Sequence, residues 1–213
     1  MPRIGSLTEV LVNEVRDLYD AEKRLTKAIP RMAKKAANRS LKTALNDHLK
    51  ETNGQIRRLE QVFRHLGEKA RGKACAGMRG IIEEGDEHVG EDYETEELRD
   101  SVIIGSATRV EHYEMAAYMG AIEYARILGL SEVQELLEET LAEEEAADEK
   151  LRAIGQAVNP SAANSDEDDN GGGGIVEMLA RTLSGGDGQT RGKRPQSRRA
   201  AKSGRARKAA KKR

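Results

Sequence analysis

The chain has no tryptophan, one phenylalanine and one cysteine among its 213 residues, and aromatics make up only 3% of it. A β-sandwich or a broad α/β sheet fills its layers with aromatic and β-branched side chains, so this composition argues against both. A single cysteine, Cys75, excludes an internal disulfide, and nothing asks for an oxidising compartment. No apolar window approaches the length of a membrane span, and the opening MPRIGSLTEVLVNEV lacks the unbroken apolar run of a signal peptide. The expectation is a cytoplasmic protein that makes no membrane contact. With only four prolines and 34% charged residues, what remains is the composition of a helix-rich chain.

The formal net charge of −1 conceals a partition. Residues 191–213 hold twelve Lys or Arg and no acid, which leaves 24 of the 36 bases against all 37 acids in residues 1–190, a formal −13. An acidic body is followed by a basic tail.

Four long segments carry apolar residues at helical spacing. The first, residues 7–37, has the stripe Leu7, Leu11, Glu14, Leu18, Glu22, Leu25, Ile29 and Met32, and Pro30 inside it is expected to kink the helix or shift its local hydrogen bonding. Ser40 is a reasonable N-cap for the second, residues 41–66, and Gly67 a fitting stop. Its stripe runs Leu41, Leu45, His48, Thr52, Gln55, Leu59, Val62 and Leu66, with Glu51 on the adjoining edge. The third, residues 96–128, ends at Gly129, and Ser131 with Gln134 has the spacing of a capping box that opens the fourth, residues 132–157. Between the second and third, CAGMRGIIEEGDEHV predicts a short helix inside a long crossover. Two helical hairpins joined by a long crossover describe an all-α protein, a ferritin-like four-helix bundle over residues 1–158. Residues 159–190 read as an acidic, Gly-rich linker with a short amphipathic segment, IVEMLARTL, at 175–183, and residues 191–213 as a disordered basic tail.

Three of the stripes contain acids that their phase points at apolar neighbours, and in the last two these acids stand in pairs. The third runs Ile104, Ala107, Glu111, Glu114, Tyr118, Ala121, Ala125 and the fourth Val133, Leu137, Leu141, Glu144, Asp148, Leu151. A carboxylate in such a seam is costly unless partnered. Folding the last two helices back about Gly129 sets Glu114 level with Glu144 and Glu111 level with Asp148, and four like charges cannot share a dry site without cations between them. The first hairpin adds Glu22, His48 and Glu51, although folding about residues 38–39 sets Glu22 level with Gln55 rather than with Glu51. Several carboxylates and an imidazole suit a pair of iron or manganese ions, which permits two-electron chemistry on dioxygen or peroxide.

A blander reading stands beside that one. The same acids could form a buried charge network, and Glu22 and Glu51 taken alone would be solvated or salt-bridged among the many Lys and Arg. Runs such as Glu138, Glu139 and Glu143 read as a solvated face, and Glu14 as solvated near a helix end. His112 lies off the stripe, exposed unless it backs a ligand. Tyr113 reads as a packing residue, Tyr118 as one close enough to the acids to donate a hydrogen bond, and Cys75 as a small buried residue of the crossover.

The segments LYDAEKRLTKAIPRMAK, LNDHLKETNGQIRRLEQVF, CAGMRGIIEEG, LRDSVIIGSATRVEHYEMAAYMGAIEYARILG and LLEETLAEEEAADEKL resemble, in order and spacing, the YciF-like family of ferritin-like proteins over about residues 6–157. The resemblance implies a four-helix ferritin-like fold, a dinuclear metal site, frequent homodimerisation and a link to bacterial stress responses, without implying a known reaction. Matched residue by residue, it favours Glu22, His48, Glu51, Glu111, Glu114, Glu144 and Asp148 as metal ligands. Rubrerythrin-like and bacterioferritin-like sites carry Glu-x-x-His on the second and fourth helices. Here the second reads His-x-x-Glu and Asp148 stands in place of the fourth helix's histidine, so the implied site is richer in carboxylate.

The tail lies outside that resemblance. Twelve bases with no interleaved aromatic suit phosphate contacts that read no sequence, so nonspecific binding of DNA or RNA through residues 191–213 is one expectation. A solubilising or self-associating tail, docked on the acidic body of a neighbouring subunit, is the other. Residues 175–183 would dock on a partner protein or form a transient helix. Two functions follow from different classes. One is a ferritin-like dinuclear metal-binding stress protein, redox-active toward dioxygen or peroxide; the other is a noncatalytic dimeric scaffold that binds nucleic acid through its tail. Metal content separates them.

Overall fold

The structure is a computed structural model and describes residues 3–164. Most of the expected linker, the segment 175–183 and the basic tail 191–213 lie outside the described residues. Among these residues the chain forms α1 (Leu7–Lys35), α2 (Arg39–His65), α3 (Ala76–Gly90), α4 (Glu96–Ile127) and α5 (Ser131–Asn164), and no strand.

Side-chain caps set where the helices begin. Ser6 accepts from the Glu9 N–H at the start of α1, and Thr95 from the Leu98 N–H at the start of α4. Asn38, not Ser40, caps α2, because its side-chain oxygen accepts from the N–H groups of both Ser40 and Leu41; the helix therefore opens two residues before the expected Leu41. The expected capping box at α5 does not form. The Gln134 amide donates instead to Glu138, and the Ser131 hydroxyl to Glu132. Gly67 and Gly129, both at φ 69°, end α2 and α4 in the left-handed conformation that glycine alone adopts without strain, and the N–H groups of Glu68 and Leu130 return to Phe63 and Ala125.

α1 runs unbroken through Pro30. α5 likewise continues through Pro160 to Asn164, which corrects both the expected end of the helix at residue 157 and the bundle boundary at 158. Val158 and Ala162 explain the extension: they keep the four-residue spacing of the inward face and are buried, and that apolar burial outweighs the one hydrogen bond a proline removes.

The four long helices stand in the cyclic order α1, α2, α5, α4. Asp100 near the start of α4 accepts from the N–H groups of Ala37 (2.9 Å) and Asn38 (2.6 Å), so α4 begins beside the α1–α2 turn. The chain leaves α2 at the opposite end, and the crossover must climb back. It does so along α1: the Lys73 N–H donates to the Arg16 carbonyl, the Cys75 N–H to the Asp20 carboxylate, and Asp86 pairs with Arg31. α3 then lies over α1 and α4. Gly77 permits this close seat, since a Cβ there would come within 2.6 Å of the Tyr113 ring. Cys75 does more than fill space: its sulfur caps α3 at the Met78 N–H and lies 3.0 Å from the Tyr113 hydroxyl, which also donates to Asp17.

The core is split in two. One apolar cluster, near the α1–α2 turn, includes Leu25, Ile29, Leu41, Leu45, Ile103 and Val110; the other, toward the far end, includes Leu11, Val15, Leu59, Phe63, Tyr118 and Leu137. Between them every long helix turns a buried polar residue inward: Glu22, then His48, Thr52 and Gln55, then Glu111 and Glu114, then Glu144 and Asp148. Each fully buried leucine contributes about 2 kcal/mol, so the clusters hold the bundle together and the layer between them opposes it. Among the described residues no helix is long and apolar enough to cross a membrane.

Candidate metal centre

His48 reaches the middle of the bundle from α2. Its Nδ1 faces Glu51 Oε2 at 3.4 Å, and its Nε2 points inward, 3.5 Å from Glu111 Oε1 and 3.8 Å from Glu144 Oε2. One ligand-type atom from each of His48, Glu111, Glu114 and Glu144 lies within 4.8 Å of the other three, and all four residues are buried. Three helices thus converge on one point. From the fourth, Glu22 is fully buried, and its Oε1 accepts a 2.5 Å hydrogen bond from the Tyr118 hydroxyl.

The seven residues expected as ligands divide accordingly. His48, Glu111, Glu114 and Glu144 form the tight group, and Glu22 lies in the same layer, held by Tyr118. The solvated reading of Glu22 is corrected: it is fully buried, because its partner is a tyrosine across the core and not a surface cation. Glu51 stands behind His48, its side chain 40% exposed. Asp148 is buried but engaged elsewhere, with Arg152 at 2.8 Å and His112 at 3.2 Å, so the exposed His112 backs an acid of the layer. Glu14 is half-buried, two turns away.

The layer is starved of hydrogen-bond partners. Glu22 Oε2, His48 Nε2, Glu111 Oε2 and both oxygens of Glu114 and Glu144 are buried without one among the described residues. A buried polar atom left so costs about 1–3 kcal/mol, and more if charged. No Lys or Arg among the described residues pairs with Glu22, Glu111, Glu114 or Glu144, so the only cation a charge network could draw on there is a protonated His48, one imidazolium against four acids. Proton affinity rises as a result. Burial pushes Glu22 up to about 8, with the charge of Glu144 adding and the Tyr118 hydrogen bond opposing. Burial also lifts Glu111 to about 8, opposed by the approach of the Glu144 carboxyl, with which it can share a proton, and helped by the charges of Glu22, Asp148 and Glu51. Glu114 and Glu144 are driven well above the carboxylate range, again chiefly by burial. Burial alone would lower His48, but the Glu51 hydrogen bond and the charges of Glu144, Glu22 and Glu51 raise it. Tyr118 is held far up the scale by burial and by Glu22 and Glu114, so it stays a phenol and a donor.

A network missed in the sequence borders this layer. Arg58 on α2 is buried and donates to Thr140 (2.6 Å), to Glu139 (2.8 Å) and to both oxygens of Glu143 (2.8 and 3.1 Å) on α5, while the Gln55 amide donates to Glu143 as well. Glu139 and Glu143 are therefore not the plain solvated face expected of them. Arg58 was there to be noticed as a charge beside the stripe residue Leu59, but no local signal names its partners.

Fold and site together define a four-helix bundle with a buried carboxylate and imidazole layer. A family model described as a domain of unknown function, DUF892, matches residues 6–164, and the protein YciF of Escherichia coli (strain K12) is 39% identical over 161 residues, 75% of this chain and 96% of YciF. The chain belongs to this DUF892 family. Among solved structures, YcfI of Rhodopseudomonas palustris aligns with a TM-score of 0.68 at 42% identity, covering 70% of this chain and 94% of its own. The E. coli stress protein YciF aligns with a TM-score of 0.68 at 39% identity over 71% and 96%. A protein of Xanthomonas campestris pv. campestris, 22% identical with a TM-score of 0.56 over 84% and 99%, shares the fold.

Proposed function

We propose that the chain is a metal-binding stress protein whose bundle holds a pair of iron or manganese ions. The observation that carries this reading is the convergence of His48, Glu111, Glu114 and Glu144 within 4.8 Å, buried, with oxygens and an imidazole nitrogen that have no hydrogen-bond partner among the described residues. The donor set fits: carboxylate oxygens and one imidazole suit iron or manganese better than a thiolate-seeking ion. Glu22 completes the set from α1, and Glu51 and Asp148 stand at its rim. A bound pair would supply two-electron chemistry on dioxygen or peroxide. The role in stress rests on the similarity to YciF, which is described as a stress protein.

The chain's own residues prepare such a site. Glu51 accepts at Nδ1 of His48, fixing the tautomer whose Nε2 lone pair faces the acids. Tyr118 orients Glu22, and Arg152 with His112 orients Asp148. Loading would release the protons that burial keeps on Glu22 and Glu111 near neutral pH. The test is elemental analysis of the full chain, purified without a metal-binding tag, beside a Glu111→Ala/Glu144→Ala variant. About two iron or manganese ions per native chain, lost in the variant, support the reading; no metal even after reconstitution sinks it.

A second reading concerns the tail. Twelve bases and no acid in residues 191–213 favour nonspecific nucleic-acid contacts, whose affinity would fall steeply with salt. A chain ending at residue 190 should lose retention on DNA at low salt; equal retention would return the tail to a solubilising or self-associating role. Homodimerisation and docking of a partner on residues 175–183 remain proposals, checked by solution mass and by pull-down with that peptide.

A further inference from the structure

The layer is sealed on most sides. Glu22, Glu114 and Glu144 are fully buried, and α3 covers the α1–α4 face. Among the described residues the α2–α5 face has no such cover, and there a cavity of about 70 Å³ opens between the two helices. Its walls include His48, Glu51 and Glu111 of the layer, while Ala44 and Ala147 leave the seam between helices thin and Lys150 stands at the rim. Glu51 is the one residue of the expected ligand set with a substantially exposed side chain, and it lies on this wall. About two helical turns further along the same seam, Arg58 closes the gap through Glu139, Thr140 and Glu143.

We infer that the α2–α5 cavity is the entry port and binding pocket for a ligand of two or three heavy atoms, such as dioxygen, hydrogen peroxide or a small anion, and that its size excludes ring-sized molecules. This rests on the metal reading above. The volume sets the limit: a cavity of about 150 Å³ is what benzene needs, and this one is about half that. The chemistry of the wall agrees, with the His48 imidazole and the buried Glu111 carboxyl at the inner end to meet a polar ligand, and the exposed Glu51 and alanine methyls along the approach.

The experiment uses the full chain loaded with iron, and reads azide association by the change in its absorption spectrum, with metal content measured on the same samples. Ala147→Leu fills the port; Ala142→Leu, on the exposed face of the same helix, controls for general effects on α5. The port predicts unchanged metal content in both variants, azide association slowed at least tenfold in Ala147→Leu and unaltered in Ala142→Leu, and no spectral response of the native chain to imidazole. Azide entering Ala147→Leu at the native rate, with metal in place, overturns the port alone. Imidazole binding as readily as azide overturns the size limit. A native chain that takes up no iron overturns the metal reading, and the port with it.

Discussion

Tyr118 on α4 and Glu22 on α1 meet at 2.5 Å, oxygen to oxygen, where both side chains are fully buried. Tyr118 belongs to the far apolar cluster, and Glu22 to the polar layer, so this hydrogen bond ties the packed half of the bundle to the half with unpartnered acids. It also decides which Glu22 oxygen is free: Oε1 is taken, and Oε2 is the one left without a partner.

Replacing Tyr118 by Phe keeps the ring in its cluster and removes only the donor. Glu22 Oε1 then becomes a second orphan, which costs about 1–3 kcal/mol, or a fall in Tm of about 3–9 °C for a domain of this size. Loss of orientation should also weaken metal binding about ten- to a hundredfold. Calorimetry and metal titration read the two effects separately, and unchanged affinity would remove Glu22 from the proposed site.

The raised carboxyls make the stability of the metal-free protein depend on pH with a definite sign. Glu22 and Glu111 hold their protons up to about 8 in the folded chain, against 4.5 for an ordinary glutamate, so their contribution is full below about 4.5 and is lost as pH rises toward 8. The raised His48 acts in the same direction, while Asp20 and Glu51, shifted down, act below this window. The Tm of the chelator-treated chain should therefore drop between pH 5 and 8, and saturating manganese should flatten the profile by replacing the protons. A metal-free Tm that climbs over that range would show that the layer is ionised and paired.

Arg58 predicts a loss that metal cannot repair. Its removal in Arg58→Ala leaves Glu143 with only the Gln55 amide and takes the guanidinium donors from Thr140 and Glu139 at the α2–α5 seam; because Glu143 keeps part of its surface in water, the loss should be about 1–3 kcal/mol. Arg58→Lys keeps the charge but not the fork, and should recover part of it. Denaturant unfolding of both variants, with and without manganese, tests whether the penalty is the same in the two conditions, as it should be for a residue outside the metal group.

The uneven legibility of this chain has a physical cause. Within one helix, period and phase mark the inward face, and within one hairpin the turn fixes the register, which is why Glu111, Glu114 and Glu144 could be set at one height from residue numbers alone. Neighbours that are distant in sequence have no such rule. Nothing local tells Arg58 that α5 stands beside α2, or tells Asp100 that the α1–α2 turn needs its carboxylate, and nothing local tells Glu22 that its partner is a tyrosine 96 residues on. Local rules also lost to burial at Pro160, where Val158 and Ala162 carried the helix past the breaker.

Glu114 offers the cleanest separation of stability from function. Both of its oxygens are buried without a hydrogen-bond partner among the described residues, and burial together with Glu22, Glu144 and Glu111 opposes its ionisation. Glutamine has nearly the same shape and no charge to desolvate. In the metal-free chain at pH 8, where part of the acid layer is forced to ionise, Glu114→Gln should raise Tm; near pH 4, where the carboxyl is protonated, the two proteins should differ little. Saturating metal should reverse the order, because a ligand held at 100 times its Kd stabilises the native chain by about 2.7 kcal/mol and the glutamine variant binds it more weakly. A glutamine variant that is less stable than the native chain at pH 8 without metal would mean that the Glu114 carboxylate has a cationic partner, and the layer would then be a charge network after all.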